Sequence, residues 1–540
     1  MASPDAKDAV AEQPAPQETA FTIQQPPIDE EAITPPTTTN GHAHNTAANA
    51  ASSASASSLK NPSPTPSSSS SSSPRALAPD LLRGLLMLLM ALDHNVIGLN
   101  AWPHSTGTNG TEADSAVVEG WNWWLGYAIR TLSHLCAPGF TFLLGMGVVY
   151  FGRSRAAKLG WSAARMARHF VVRGLVLTLV SVAMGLATMP GKLWFLNVVL
   201  VQLGVDYVLV GFLWLGISSS EPLLATYVDR HIDQDGERTP LLAHSGHHTP
   251  SSTRPSPKAS RLSFHIHNIL LLVLSLVTIF WNHWLSSTHG TCPPPSSSTT
   301  TTIATATSPA SDFWRFWFHQ VLNEHVMSAF PPLAWLSFAI LGLLYARILL
   351  ARPSCPSTTQ ICGNLAAGTL FAALFVLTRV LRLGNLSEDC LRTQDQAAHP
   401  HTNPYLASPA SFFYVVKYPP DFAFFCYTLA ATFYLLALFA AVPATFANKR
   451  LRVLLAFGTS ALFFYVAHMV LLMTLAGVLL RAYGRDTGVP APVGRPAEGV
   501  DNMWLWWGNW LVVVAVMYPL CRWYGRFKMT RGPDSVWRFF

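Results

Sequence analysis

Charge is what this chain has least of. Only 12% of its 540 residues are Asp, Glu, Lys or Arg, against about 25% in a soluble globular domain, while 50% are hydrophobic. A soluble enzyme is thereby excluded and a membrane protein implied. Cysteine is sparse as well: there are seven, with no C-x-x-C pair and no Cys/His ligand spacing, so no zinc site or disulfide framework is expected and no metal is called for. Nor is the first apolar segment expected to be a cleavable leader. The first apolar segment starts near residue 75 and lacks a short apolar core with a small-residue cleavage site, so it reads as an anchoring span. The basic excess, 35 Lys and Arg against 28 Asp and Glu, does not gather into one patch, which argues against a nucleic-acid partner. It recurs between apolar segments, the pattern that orients helices in a bilayer.

Residues 1–74 run through "TPPTTTNGHAHNTAANAASSASASS" to "SPTPSSSSSSSP", with almost nothing large and apolar to bury, and are expected to be a disordered Ser/Pro-rich cytosolic tail. Beyond them the expected fold is all-α and polytopic. Stretches long enough for about 20 helical residues fall near 80–101, 124–150, 169–188, 193–216, 264–285, 331–350, 363–383, 418–442, 453–480 and 503–521. These ten spans define a transmembrane domain over 75–525, with flexible inserts at 218–262 on the cytosolic side and at 286–312 and 384–411 on the lumenal side, then a short cytosolic tail, 526–540. Ten spans put both termini on one side. With that side cytosolic, the inner connections hold Arg153, Arg155, Lys158, Arg165 and Arg168, then Arg230, Arg238, Arg254, Lys258 and Arg261, then Lys449, Arg450, Arg452 and the Arg522 to Arg538 tail. The outer connections hold far fewer basic residues, in accord with the positive-inside rule.

Two other features agree. The sequons "NGT" at Asn109 and "NLS" at Asn385 both fall in outer loops and are candidate glycosylation sites. Trp121, Trp123 and Trp124, and Trp504, Trp506 and Trp507, cluster where two helices re-enter from the outer face, as interfacial anchors do. Cys292 and Cys390 also lie in outer loops, either as a pair formed in an oxidising lumen or as two thiols. The inner insert contains "ERTPLL", in which Glu237 precedes Leu241 and Leu242 in the form of an acidic dileucine sorting signal. Exposed to a cytosolic sorting adaptor, it would direct the chain to a vacuolar or lysosome-like membrane rather than leave it at the plasma membrane.

The chemistry-bearing residues are those that hydrocarbon should exclude. An ionisable side chain at bilayer depth costs on the order of 2.5–3.5 kcal/mol even on mild insertion scales, yet "ALDHNVIGLNAW" puts Asp93 beside His94 at the end of an apolar run. At a rise of 1.5 Å per residue, His94 lies roughly 20 Å in from the cytosolic side, His134 of "SHLCAPGF" roughly 15 Å in from outside, and His468 and Arg379 roughly 20 Å from the cytosolic side. Four helices thus bring polar groups to the outer half of the membrane. Taken singly, His468 reads as a packing residue and Arg379 and Arg382 as side chains snorkelling to the interface. Asp93 and His94 diverge by about 100° on a helix, so together they imply a wet cavity. Imidazole suits general acid/base work near neutral pH, with Asp93 expected to orient it. Asp206 in "LGVDYVLVG", Lys417, Arg379 and His468 are the further candidates for the cavity or substrate site. At the cytosolic edge Asp80 and Arg83 are spaced for an ion pair on one helix face; Arg83, with Arg173, could instead meet the phosphates of a cytosolic donor.

In order, "DLLRGLLMLLMALDH", "SHLCAPGFTFLLGMG", "LGVDYVLVGFLWL", "FPPLAWLSFAILG", "KYPPDFAFFCYTL", "GTSALFFYVAHMVLL" and "YPLCRW" resemble the heparan-alpha-glucosaminide N-acetyltransferase-like family of transmembrane acyltransferases, over most of 75–525. The resemblance implies a multi-helix enzyme that takes acetyl from cytosolic acetyl-CoA and delivers it, through a histidine, to an amino sugar or glycan in the lumen. Its animal members place that histidine in the stretch after the first span, where this chain has His104. Bacterial-type members, to which this chain is closer, share histidines matching His94 and His134. The competing reading is a transporter of a small polar solute or protons, against which no internal repeat is evident; a silent scaffold would leave Asp93 beside His94 without a reason. A homodimer is compatible with either.

Overall fold

Ten helical stretches are long and apolar enough to cross a membrane among the residues that the computed structural model describes. Those residues are 77–101, 123–188, 194–236, 255–285, 309–322, 325–352, 356–386, 399, 401–486, 498–532 and 535–538. The tail 1–74, His104, Asn109, Cys292, Cys390 and the dileucine residues Glu237, Leu241 and Leu242 lie outside them.

The order is α1 (Leu77–Leu99), α2 (Trp123–Ser133), α3 (Cys136–Leu159), α4 (Ala163–Thr188), β1 (Phe195–Asn197), α5 (Leu200–Gly236), α6 (Pro257–Trp284), α7 (Pro309–Phe318), β2 (Val321–Leu322), β3 (Val326–Ser328), α8 (Pro332–Leu350), α9 (Ser357–Val380), α10 (Pro409–Phe412), α11 (Phe422–Ala441), α12 (Ala444–Arg450), α13 (Arg452–Thr459), α14 (Ala461–Tyr483), a two-residue strand pair β4 (Arg485–Asp486) and β5 (Glu498–Gly499), and α15 (Met503–Met529). Helix is what hydrocarbon demands, because it satisfies every backbone N–H and C=O within one segment. Among the described residues the only sheet of more than two strands is small, with β3 parallel to β1 and antiparallel to β2.

α1, α3, α8 and α11 are buried at the centre, while α4, α6, α9, α14 and α15 keep most of their length at the rim. Rim side chains such as Leu270, Leu370, Val470, Val478 and Leu511 are exposed, as a lipid-facing surface requires. Two glycine crossings set the central spacing. At Gly84 of α1 and Gly458 of α13, a Cβ on either residue would collide with the other helix's backbone carbonyl, Leu454 O and Asp80 O respectively. Gly145 of α3 and Gly342 of α8 repeat the arrangement. Backbones at this separation leave no room for any side chain at the crossing.

Several expected boundaries move. The second span is not continuous: α2 ends at Ser133 and α3 starts at Cys136, because Pro138 has no N–H to donate to the carbonyl of His134 and its ring would clash there. The stretch 453–480 breaks at Ser460, whose hydroxyl donates to Cys521 O at 3.3 Å, and only α14 is long enough to cross. The fourth span opens with β1 and then runs as helix to Gly236, while α6 begins at Pro257, so much of the insert expected at 218–262 is membrane-helix extension. The insert expected at 286–312 gives way to α7 from Pro309, and that expected at 384–411 contains a built segment: Asn403 caps a short 3-10 turn at 404–406 and Ser408 caps α10. The last helix continues to Met529, and residues beyond it fold back, with the Tyr524 hydroxyl donating to Trp537 O at 2.6 Å.

Candidate functional site

His94 lies on α1 and His468 on α14, and the fold brings them into direct contact: His94 Nδ1 is 2.9 Å from His468 Nε2. Their rings are near parallel, with centroids 5.2 Å apart, and both side chains are buried. The other nitrogen of His468, Nδ1, is 2.8 Å from the carbonyl of Phe464, one turn back on its own helix. A carbonyl can only accept, so His468 Nδ1 carries a proton. In the neutral ring Nε2 then holds the lone pair and accepts from His94 Nδ1–H. By the same step, neutral His94 carries its lone pair on Nε2, the basic position. A backbone carbonyl therefore sets the tautomer of one histidine through another. Asn95 ties the same stretch of α1 to α15, its amide donating to Trp506 O at 2.8 Å and its carbonyl accepting from Asn509 Nδ2 at 2.7 Å.

A cavity of about 310 Å³ leads toward this pair from the basic helix ends. Among the described residues its charged lining is Arg83, Arg173, Lys528 and Arg538, four cations and no carboxylate. Arg83 makes the ion pair with Asp80 that its spacing predicts, at 3.0 Å, and also donates to Gly458 O at 3.2 Å. The Arg173 guanidinium lies 4.7 Å from the centroid of the Tyr207 ring. Lys528 donates to Thr459 O at 3.1 Å, and the folded-back tail brings Arg538 to the carbonyl of Lys528 at 3.4 Å. Deeper in, the walls are apolar: Met87, Phe140, Leu143, Leu203 and Tyr465. Tyr465 closes the path, its ring edge-on to His94 at 6.4 Å and to His468 at 6.0 Å. From Arg83 to His94 is eleven residues, about 16 Å along the helix. The chamber thus combines anion-attracting side chains with apolar wall, and Tyr465 stands between it and the imidazole pair.

The other expected residues fall elsewhere. Asp93 is buried, and the contact at His94 Nδ1 is made by His468, a partner the sequence did not assign to it. Asp93 and Lys417 both lie near enough to the Cys136 thiol to act on it electrostatically, which sets them on another side of α1. The Lys417 ammonium is 5.0 and 5.6 Å from the ring centroids of Tyr418 and Phe330. His134 sits at the α2/α3 break, edge-on to Phe424 at 5.6 Å. Asp206 is enclosed, with Gln202 Nε2 donating to its Oδ2 at 2.6 Å and to Thr141 Oγ1 at 3.2 Å.

Arg379 is fully buried rather than snorkelling, and it is not in the described lining of this cavity. It donates to Asn385 Oδ1 and to Tyr414 O, both at 2.7 Å, and lies over the rings of Tyr405 and Phe375. Its neighbour Asp421 accepts from the backbone N–H groups of Leu386 and Phe424; burial pushes that carboxyl above its ordinary value, and Arg379 and His283 oppose the shift. Asn385, expected as a glycan acceptor, is buried, and its Nδ2 donates to Thr378 O at 2.8 Å and Leu383 O at 3.2 Å. It is a structural residue in this fold because its amide is spent on the helix end and the arginine. Arg379 and Asn385 together clamp the loop before α11.

Sequence reasoning passed over Lys528, Arg538, Tyr465, Asn95 and Asn509. Asn95 carried a usable signal, an amide next to Asp93 and His94 in an apolar run; Arg538 carried none, since only tertiary folding of the tail brings it to the cavity. Among the described residues no group of three His, Cys, Asp or Glu is gathered where it could hold a metal ion. No protein-family model and no curated protein matches the chain.

Proposed function

We propose that the chain is a membrane-bound acyltransferase that takes an acetyl group from acetyl-CoA at its basic, cytosolic end and passes it to an amino sugar or glycan on the opposite, lumenal side. One observation carries the reading: a cavity lined by four cations and by apolar side chains reaches Tyr465, whose ring stands edge-on to His94 of the His94–His468 pair. Coenzyme A has the matching order of parts, phosphates, then a long neutral arm, then the thioester. Arg83 and Arg173 would hold phosphate oxygens, helped by Lys528 and Arg538, because guanidinium and ammonium donors make charge-assisted bonds to such groups. His94 Nε2 would take the proton from the attacking amine or carry the acetyl group transiently. His468 would stabilise the cation that results by holding His94 Nδ1–H. The ordered resemblance to the heparan-alpha-glucosaminide N-acetyltransferase-like family supports the same chemistry. A vacuolar or lysosome-like membrane is the compartment the dileucine sequence suggests.

The test uses the full chain in proteoliposomes with radiolabelled acetyl-CoA and glucosamine as acceptor. Label should appear in the acceptor with the native chain and be lost with His94→Ala. Undiminished transfer by the double variant His94→Ala, His134→Ala would remove the mechanism, and glucosamine uptake without acetyl-CoA would point to transport instead.

A further inference from the structure

A second hollow, about 980 Å³, opens at the same basic end between α13 and α15. Among the described residues it shares only Thr459 and Lys528 with the donor cavity. Its polar lining is dominated by Arg452, Arg522, Arg526 and Lys528, with Asn448 and the Tyr518 hydroxyl beside them. Among the described residues the one carboxylate on its wall, Asp80, is bonded to Arg83. Tyr518 holds two of the arginines over one spot: Arg452 and Arg522 have their guanidinium carbons 5.9 and 5.7 Å from its ring centroid, and Arg522 Nη1 donates to its hydroxyl at 3.3 Å. Like charges gathered round one hollow repel, and an anion between them offsets that repulsion.

The remaining wall narrows the anion's kind. Leu77, Leu455 and Ala456 are hydrocarbon at the edge of the charges, and the adjoining face of α15 exposes Val516, Leu520 and Trp523, the surface that lipid tails cover in a membrane-spanning bundle. A basic pocket between helices at this level, open sideways to acyl chains, fits a phosphate headgroup still attached to its lipid. We propose that this hollow binds the phosphate headgroup of an anionic phospholipid from the leaflet at the basic end, apart from the site described above for the acyl donor.

The experiment uses the full chain purified in a neutral detergent, with dioctanoyl phosphatidic acid, inorganic phosphate and coenzyme A as probes. Native mass spectrometry and the thermal midpoint report binding. Phosphatidic acid should bind and raise the midpoint, dioctanoyl phosphatidylcholine should not, and the triple variant Arg452→Gln, Arg522→Gln, Arg526→Gln should weaken phosphatidic acid about 10- to 100-fold. Coenzyme A affinity should stay unchanged in that variant, which shows that it is folded. If the triple variant fails to fold, Arg526→Gln alone must still weaken phosphatidic acid severalfold. Equal binding of phosphatidic acid by native and altered chains overturns the proposal. So does displacement of the lipid by coenzyme A, which would make the hollow part of the donor site, or inorganic phosphate binding as tightly as the lipid, which would make it a site for free anions.

Discussion

A backbone carbonyl, that of Phe464, decides which nitrogen of His94 is basic, and it does so through His468. Removing His468 would leave His94 Nδ1–H without this acceptor in a buried setting and release the tautomer. His468→Ala should therefore lower kcat with little change in KM for acetyl-CoA, and His468→Gln, whose amide oxygen can accept, should restore part of it; initial rates at saturating donor make the comparison. His94→Ala should cost about 10²–10⁴-fold, the usual size of a lost acid–base group. The pH profile has a definite sign, since a protonated imidazole has no lone pair: activity should fall as the medium is acidified, and any residual rate of His94→Ala should lack that limb. In the cavity, Arg83→Gln removes a charge proposed to hold phosphate and should raise KM for acetyl-CoA about 10- to 100-fold, as expected for one lost charge-assisted hydrogen bond, leaving kcat near native. A kcat loss without a KM change would take Arg83 out of the donor site.

At the level of elements, the crossing of α1 over α13 is what places Arg83 beside Gly458 O. A methyl group at Gly84 or Gly458 would force the two helices apart, at about 1–3 kcal/mol by analogy with overpacked cores. Gly84→Ala should lower the thermal midpoint in detergent and weaken coenzyme A binding together, whereas Gly477→Ala on α14, with nothing within 4 Å of its added methyl, should change neither through packing. The spans themselves were legible in the sequence because a bilayer makes length and hydropathy nearly sufficient. Their interruptions were harder: Pro138 announces the break at His134 by a local rule, while the break at Ser460 depends on a hydrogen bond to α15 that no local pattern encodes. The His94–His468 contact was visible only as a coincidence of depth. Arg379 stood out as a charge at bilayer depth, but its enclosure in place of snorkelling was not legible, because depth along a helix does not say which face a side chain occupies.

For the whole molecule, the two basic cavities share one end of the bundle. There lie the starts of α1 and α13, the last turns of α15, and the tail residue Arg538. The opposite end holds the Arg379–Asn385 clamp, the small β1–β3–β2 sheet and the link from Val500 N–H to Leu99 O at 2.9 Å. By the positive-inside rule the proposed orientation has the cation-rich end in the cytosol, and the proposed transfer would then be vectorial: donor and acceptor should be needed on different sides. In sealed vesicles of known orientation, a cysteine at Lys449 (Lys449→Cys) should react with a membrane-impermeant maleimide only where the cytosolic face is exposed. On those same vesicles, external acetyl-CoA should support acetylation of glucosamine trapped inside, and acetyl-CoA trapped inside should not. A chain that acetylates only acceptor supplied on the same side as acetyl-CoA would retain the donor cavity but lose the path through the His94–His468 pair, because that pair lies beyond the inner wall of the cavity rather than at its mouth.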